Sequence, residues 1–276
     1  VINVVLRSFS KPLIYIILIL LACLFLIPVY VILVTSVKPL DEVTLVNMWK
    51  LPSEIDFSSY GQAFEKLAPN FMNSLYLVIP ATILSALLGA LNGYVLSKWK
   101  FKGSEVLFTL ILFGMFIPYQ SILIPLIQFL RNIELYNTIP GLVLVHVVYG
   151  IPITTLMFRN FYANIPLSMI ESAKIDGAGF LRIFTNIMLP LSISGFVVVA
   201  IWQFTNVWNE FLFAISITTS DQQPIMVALQ NLSGSQIVQW NVQMAGAVLA
   251  ALPTLLVYIL LGKYFVKGLL AGSVKG

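Results

Sequence analysis

The residues best suited to chemistry lie in LSISGFVVVAIWQFTNVWNEFLFAISI (191–217), an apolar stretch that also carries Trp202, Gln203, Asn206, Trp208, Asn209 and Glu210. In a helix, Gln203, Asn206 and Glu210 step by three and four residues and share one face, while Trp202, Asn206 and Asn209 form an overlapping stripe. Amides and carboxylates bind hydroxyls directionally, and indole rings stack on the C–H faces of saccharide-like rings. This set therefore suits a polyhydroxylated ligand. The same residue types also have a purely structural use. Gln203, Asn206 and Asn209 can bond neighbouring helices, and Trp208 can anchor at a membrane interface. Of this set Glu210 is the one least expected to touch a ligand; it is expected instead to pair with a basic residue of another chain, because few basic residues of this one reach its depth. Tyr119 and Gln120, beside Pro118, are placed to line an entrance. His146, the single histidine, reads as a hydrogen bond between helices, and Tyr149, Gly150 and Pro152 read as a bend.

A second polar set stands in ESAKIDGAGFLRIFTNIMLPLS (171–192), where Glu171, Lys174, Asp176 and Arg182 are interspersed with Gly177 and Gly179. Pro166 can open a short helix, and Gly177 or Gly179 can close it in left-handed geometry. A second short helix is predicted from about Phe180 to Asn186, before Leu189-Pro190 opens the next apolar run. Such a segment lies across a membrane rather than through it. On pattern alone, an ordinary solvated loop with an interfacial helix would serve equally well.

These residues must be positioned by an apolar scaffold. The chain of 276 residues is 59% hydrophobic and 9% charged, with a mean hydropathy of +0.95. Soluble domains carry roughly a quarter charged residues, so the composition indicates a multi-span membrane protein. A span needs about 20 apolar residues, and six stretches qualify: about 12–37, 71–96, 106–129, 139–158, 191–217 and 244–265. The third contains Pro118 and Pro125, so it is expected to stop near Pro118 and continue as a shallower helix to Leu130. Ser85, Gly89, Gly93 and Ser97 recur every four residues on the second, a stripe that lets helices approach closely.

Basic residues set the orientation. With the N-terminus inside, the inner segments hold Arg7 and Lys11, then Lys98, Lys100 and Lys102, then Arg159, Lys174 and Arg182, then Lys263, Lys267 and Lys275. The outer segments keep Lys38, Lys50, Lys66 and Arg131, and 213–242 has none. Both termini are therefore expected in the cytoplasm, and 167–186 with them. The first apolar run is too long for the core of a cleavable leader, and the start at Val1 rather than Met leads us to expect a few residues before it.

The composition and motifs also exclude. Cys23 is the single cysteine, so no intramolecular disulfide or thiolate cage is expected, and with one histidine no metal site is expected. The Gly262-Lys263 pair has Val257 where a phosphate-binding loop needs its first glycine, so any ATP must be handled by another polypeptide. A net charge of +4 on such a chain reads as an orientation signal rather than as nucleic-acid binding. A secondary transporter would show buried coupling carboxylates or inverted repeats, and a membrane enzyme would show a convergent ionisable cluster. Only Glu210 resembles the former, and nothing resembles the latter.

Glu171-Ser172-Ala173, then Gly177, then Ile187-Met188-Leu189-Pro190 resembles, position by position, the E-A-A-x3-G-x9-I-x-L-P signature of ATP-binding-cassette importer permeases. Ser172 stands where alanine is usual. WNEFLFAISI (208–217), PIMVALQNL (224–232) and KGLLAGSVKG (267–276) are similar to the carbohydrate branch, and to its shorter permease. The resemblance implies one all-α transmembrane domain over 1–276 with the type I importer permease fold, in the plasma (inner) membrane of a prokaryote. It implies a coupling helix gripped by an ATP-hydrolysing subunit, with Glu171 as polar anchor, Ala173 and Gly177 as close-approach positions, Ser172 and Ala178 beside them, and Asp176 as cap or contact. The implied partners are a second permease, two ATP-binding subunits carrying ATP and Mg, an extracytoplasmic solute-binding protein, a carbohydrate and membrane lipid. The docking surface for the binding protein would be 218–241 or 38–70. An importer of another solute, such as an amino acid, peptide or ion, carries the same signature and stays open.

Overall fold

The computed structural model describes residues 2–99, 101–233 and 238–273, with side chains between residues 11 and 264. Lys100, Lys275, the stretch 234–237 and the side chains of Arg7 and Lys267, all used in the reading above, lie outside the described residues. Every longer element is helical. In chain order these are α1 (Ile2–Ser36), α2 (Ser58–Lys98), α3 (Ser104–Phe113), α4 (Leu123–Asn132), α5 (Ile139–Ala163), α6 (Leu167–Ile175), α7 (Phe180–Ile183), α8 (Leu189–Leu191), α9 (Ile193–Trp208), α10 (Leu212–Ile217), α11 (Ile225–Leu232) and α12 (Trp240–Ser273).

Four segments are single apolar helices long enough to span a bilayer: Lys11–Ser36, Ser58–Lys98, Ile139–Ala163 and Trp240–Tyr264. Two more are bent pairs, Ser104–Phe116 with Tyr119–Asn132 at 89° and Phe180–Leu191 with Ile193–Trp208 at 77°. Counting each pair as one gives six apolar segments. The first bend falls at Ile117-Pro118, where both residues are extended. The ring of Pro118 disfavours helical geometry in the residue before it and removes a donor. The second falls at Ser192, which leaves helical geometry just after Pro190, and the chain widens to a π turn at Phe184–Met188 ahead of that proline.

The fifth segment departs from the reading of 191–217 as one span. Helix α9 stops at Trp208, and α10 starts afresh at Leu212. Glu210 explains the restart: its carboxylate accepts the N–H groups of Phe213 (2.6 Å) and Ala214 (3.1 Å), satisfying the first turn of α10 in place of helical carbonyls. Glu210 therefore does not continue the helical face of Gln203 and Asn206.

The chain forms two compact units. One comprises Val1–Ala68 and Leu229–Ala251. In it, every residue of α1 from Lys11 to Tyr30 is exposed, so this helix offers its apolar surface to whatever surrounds it. A small core joins Ala63 to Val242 and Ala245. The loop after α1 is pinned by Lys38, 1% exposed, whose Nζ donates to the Asn47 carbonyl at 2.7 Å. Ser53 donates its hydroxyl and its N–H to Glu42, and Ser58 donates its N–H (2.8 Å) and hydroxyl (2.7 Å) to Asp56. These bonds hold both carboxyls below the usual carboxylate range.

The other unit comprises Pro69–Ala228 and Leu252–Gly276. The serine–glycine stripe of α2 seats α5: a Cβ on Gly89 would strike Thr154, and one on Gly93 would meet Phe158 Cβ at 2.7 Å and Arg159 N at 2.8 Å. Thr154 Oγ1 then donates to the Ser85 carbonyl at 3.0 Å. Below this contact a core of Ala90, Tyr94, Phe158, Tyr162, Phe184 and Met188 holds α2, α5 and the 167–191 excursion together.

Candidate functional site

The excursion from α5 to α9 is built from local rules. Pro166, in extended geometry, precedes α6, and the helix ends in a Schellman motif. Ala178 N bonds the Ala173 carbonyl at 2.9 Å and Gly177 N bonds the Lys174 carbonyl at 3.0 Å, with Gly177 left-handed at φ +77°. Of the two candidate glycines, Gly177 closes the helix. Its position is open, with no atom within 4 Å of an added Cβ, so the requirement there is conformational.

Helix α6 turns Ile170 and Ala173 into the unit's own core. Ala173, assigned above to close approach by a partner, is thus largely enclosed by its own chain, in the cluster that holds Tyr94 and Phe184. Glu171, Ser172, Asp176 and Gly177 are exposed on the opposite side, and Ala178 is half-buried. Apolar residues accompany them: Ile175 is 86% exposed, and Leu167 and Leu181 are exposed too. Beneath this surface Lys174 Nζ sits 4.0 Å from the centroid of the Trp99 ring, which meets Phe180 edge-on at 5.3 Å, and Lys98 Nζ donates to the Ile165 carbonyl at 2.6 Å. Displacing α6 must therefore carry the end of α2 with it.

The second feature is a cleft of about 740 Å³ in the same unit. Trp202, Gln203, Asn206, Asn209, Glu210 and Tyr119 all line it, and Gln120 does not. Gln203 is 2% exposed, and its Nε2 donates to Ser85 Oγ at 3.1 Å and to the His146 carbonyl at 3.2 Å, so it packs helices and borders the cleft at once. Gly150 makes room for it, since a Cβ there would strike the Gln203 amide. Asn206 and Asn209 donate to the carbonyls of Trp202 and Thr205, each at 2.8 Å, which folds both amides along their own helix. Trp208 is no interfacial anchor. It is 1% exposed, stacked on Phe204 at 5.7 Å and edge-on to Phe71 at 5.4 Å.

The cleft also uses residues that the sequence reading assigned to packing or did not mention. His146, Tyr149 and Gly150 line it, as does Phe213. Phe213 gathers Tyr149 at 5.1 Å, Tyr119 at 5.3 Å and His146 at 5.9 Å into an aromatic wall. His146 is 6% exposed, and its Nε2 lacks a hydrogen-bond partner. That nitrogen lies 3.6 Å from Glu210 Oε2, beyond hydrogen-bond range. The bond between helices expected of His146 is made by its backbone carbonyl, not its ring. The spacing of His146, Tyr149, Gly150 and Ile153 on one face of α5 is the signal that would have revealed this wall. Glu210, expected to pair with another chain, is occupied at home by the start of α10.

Residues 81–270 match the family described as binding-protein-dependent transport system inner membrane component. The chain belongs to this family. A probable ABC transporter permease protein of Pyrococcus horikoshii is 46% identical to it over 269 residues, covering 97% of this chain and 98% of that protein. A xylose/arabinose import permease protein of Haloferax volcanii is 35% identical, covering 89% and 87%. A glucose import system permease protein of Saccharolobus solfataricus is 33% identical, covering 95% of each. The fold is shared with a chain of a bacterial ABC transporter involved in the import of the acidic polysaccharide alginate, with TM-score 0.82, 23% identity and coverage of 94% and 97%. The chain is thus a multi-pass membrane protein with the ABC importer permease fold.

Proposed function

We propose that this chain is the shorter permease of an ATP-driven sugar importer in a prokaryotic plasma membrane, with both termini in the cytoplasm. It forms half of the path beside a second permease, receives sugar from an extracytoplasmic binding protein, and is driven by two ATP-binding subunits that hold ATP and Mg. The observation that carries the coupling role is the α6 surface. Signature residues Glu171, Ser172, Asp176 and Gly177 stand exposed beside Ile175, an apolar residue at 86% exposure, on a helix fastened from behind by Ile170 and Ala173. An exposed apolar side chain ringed by polar ones, on a rigid short helix, suits a protein socket. Closure of the socket would be passed on as rocking of α5 and α9, the helices flanking the excursion. The sugar assignment draws on the relatives' import functions and on a cleft lined by amides, phenols and an indole.

The test uses the assembled importer. Ile175→Glu leaves the chain's own core untouched, because that side chain is exposed, yet it should strip the ATP-binding subunit from the purified complex. Glu171→Lys should weaken the same association or uncouple hydrolysis from uptake. Retention of the subunit in both variants, with ATP-driven uptake intact, removes α6 from the interface. Uptake by this chain alone, powered by an ion gradient, refutes the importer reading altogether.

A further inference from the structure

His146 and Glu210 approach each other at the cleft in a way that packing does not account for. A buried imidazole nitrogen without a partner costs about 1–3 kcal/mol in desolvation, and a ligand group that satisfies it recovers that cost on binding. Here the nitrogen is itself buried, on a residue that lines the cleft, 3.6 Å from a carboxylate oxygen and short of bonding to it, so a ligand group that reaches it must enter between the two side chains. The carboxylate is fixed by the N–H groups of Phe213 and Ala214, and the imidazole stands nearly perpendicular to the Phe213 ring at 5.9 Å. Neither group can easily turn away. A hydroxyl is both donor and acceptor, so a single one can give its proton to Glu210 Oε2 and accept from His146 Nε2. Beside this pair Trp202, Tyr119 and Tyr149 line the same cleft, and aromatic rings are suited to the C–H side of a sugar ring.

The charge of the lining points the same way. Glu210 is its one acidic residue, and neither Lys nor Arg is among the described residues that line it. A saccharide carboxylate entering there would meet a like charge, with neither Lys nor Arg of this chain's described lining to offset it. We propose that the His146–Glu210 pair is a specificity element that holds one hydroxyl of a neutral saccharide and turns away acidic saccharides. The proposal rests on the reading of this cleft as part of the sugar path, and it contrasts with the alginate transporter that shares the fold.

The test is equilibrium binding to the assembled importer in nanodiscs, with the binding protein left out so that its own selectivity does not intervene. The probes are labelled glucose, xylose, maltose and cellobiose, each beside its uronate counterpart. The best-retained neutral sugar should bind about tenfold or more tighter than its uronate. Glu210→Gln should shrink that ratio by about tenfold, because it removes the charge, while a merely structural defect weakens both sugars alike. His146→Leu should weaken neutral-sugar binding by about tenfold, and His146→Gln, which keeps a side-chain donor, should recover most of it. Equal retention of the uronate, an unchanged ratio in Glu210→Gln, or retention of no neutral sugar overturns the proposal. An importer reading that is itself wrong shows up separately, as loss of association with the ATP-binding subunit.

Discussion

Gly93→Ala tests the packing on which both sites depend. In an isolated helix the added methyl helps, by about 1 kcal/mol, because glycine is the poorer helix former. In α2 it meets Phe158 Cβ at 2.7 Å, Arg159 N at 2.8 Å and Phe158 C at 3.0 Å. Two of these are backbone atoms of α5, which no rotamer change can move, so the helices must part by several tenths of an ångström. Overpacking costs about 1–3 kcal/mol, and a backbone obstacle places this case near the top of that range. The net loss is therefore about 2 kcal/mol. Gly89→Ala should behave alike, since its Cβ would meet Thr154 Cβ at 2.5 Å and the Thr154 carbonyl carbon at 2.8 Å. Separation also stretches the bond from Thr154 Oγ1 to the Ser85 carbonyl.

The internal control is Gly61→Ala, on the same helix with nothing within 4 Å of the new methyl. It should stabilise by about 0.5–1 kcal/mol. The assay is unfolding of the purified chain in mixed micelles of rising SDS fraction, followed by circular dichroism. One further consequence separates this mechanism from general damage. Gly89→Ala and Gly93→Ala each pry apart the same two helices, so the double variant should lose clearly less than the sum of the singles, with about 1 kcal/mol of coupling. Full additivity, or a stabilising Gly93→Ala, would refute the contact as described.

Two smaller effects follow from the caps and the loop. Thr138 Oγ1 accepts the Gly141 N–H at 3.0 Å as the N-cap of α5, so Thr138→Ala should cost about 1 kcal/mol in the same SDS titration and Thr138→Ser far less. The loop 40–57 should lose order in acid: Glu42 and Asp56 have lowered pKa values, so the stability they lend is present above the ordinary carboxylate pKa and is lost as pH falls through their depressed values. Hydrogen-exchange protection at Ser53 and Ser58 should drop over that acid range, and in Glu42→Gln the Ser53 part of the change should vanish. Protection that stays level through the range would count against these bonds.

What could be read from the sequence divides by the range of the interaction. The stripe Ser85, Gly89, Gly93 was legible because a helical period states its own geometry, and the end of α6 was legible to within two glycines, Gly177 and Gly179, of which only Gly177 is left-handed. The break at Asn209–Phe211 was not, because no proline or glycine marks it. It arises where the Glu210 side chain outcompetes helical carbonyls for the N–H groups of α10, and a carboxylate in an apolar run carries no sign of which role it will take. That break also undid the reading of Gln203, Asn206 and Glu210 as one face, yet all three reach the same cleft, since the kink swings Glu210 round rather than out. His146 was legible only as a lone polar residue. Its meaning depends on the carboxylate that the kink delivers to within 3.6 Å, a contact between distant parts of the chain that neither residue announces by itself. Packing and pathway roles also coincide in one residue. Gln203 spends its amide N–H groups on Ser85 and the His146 carbonyl, and in doing so ties α9 to the stretch of α5 that lines the cleft. Packing on one side of α9 is what makes a site of the other.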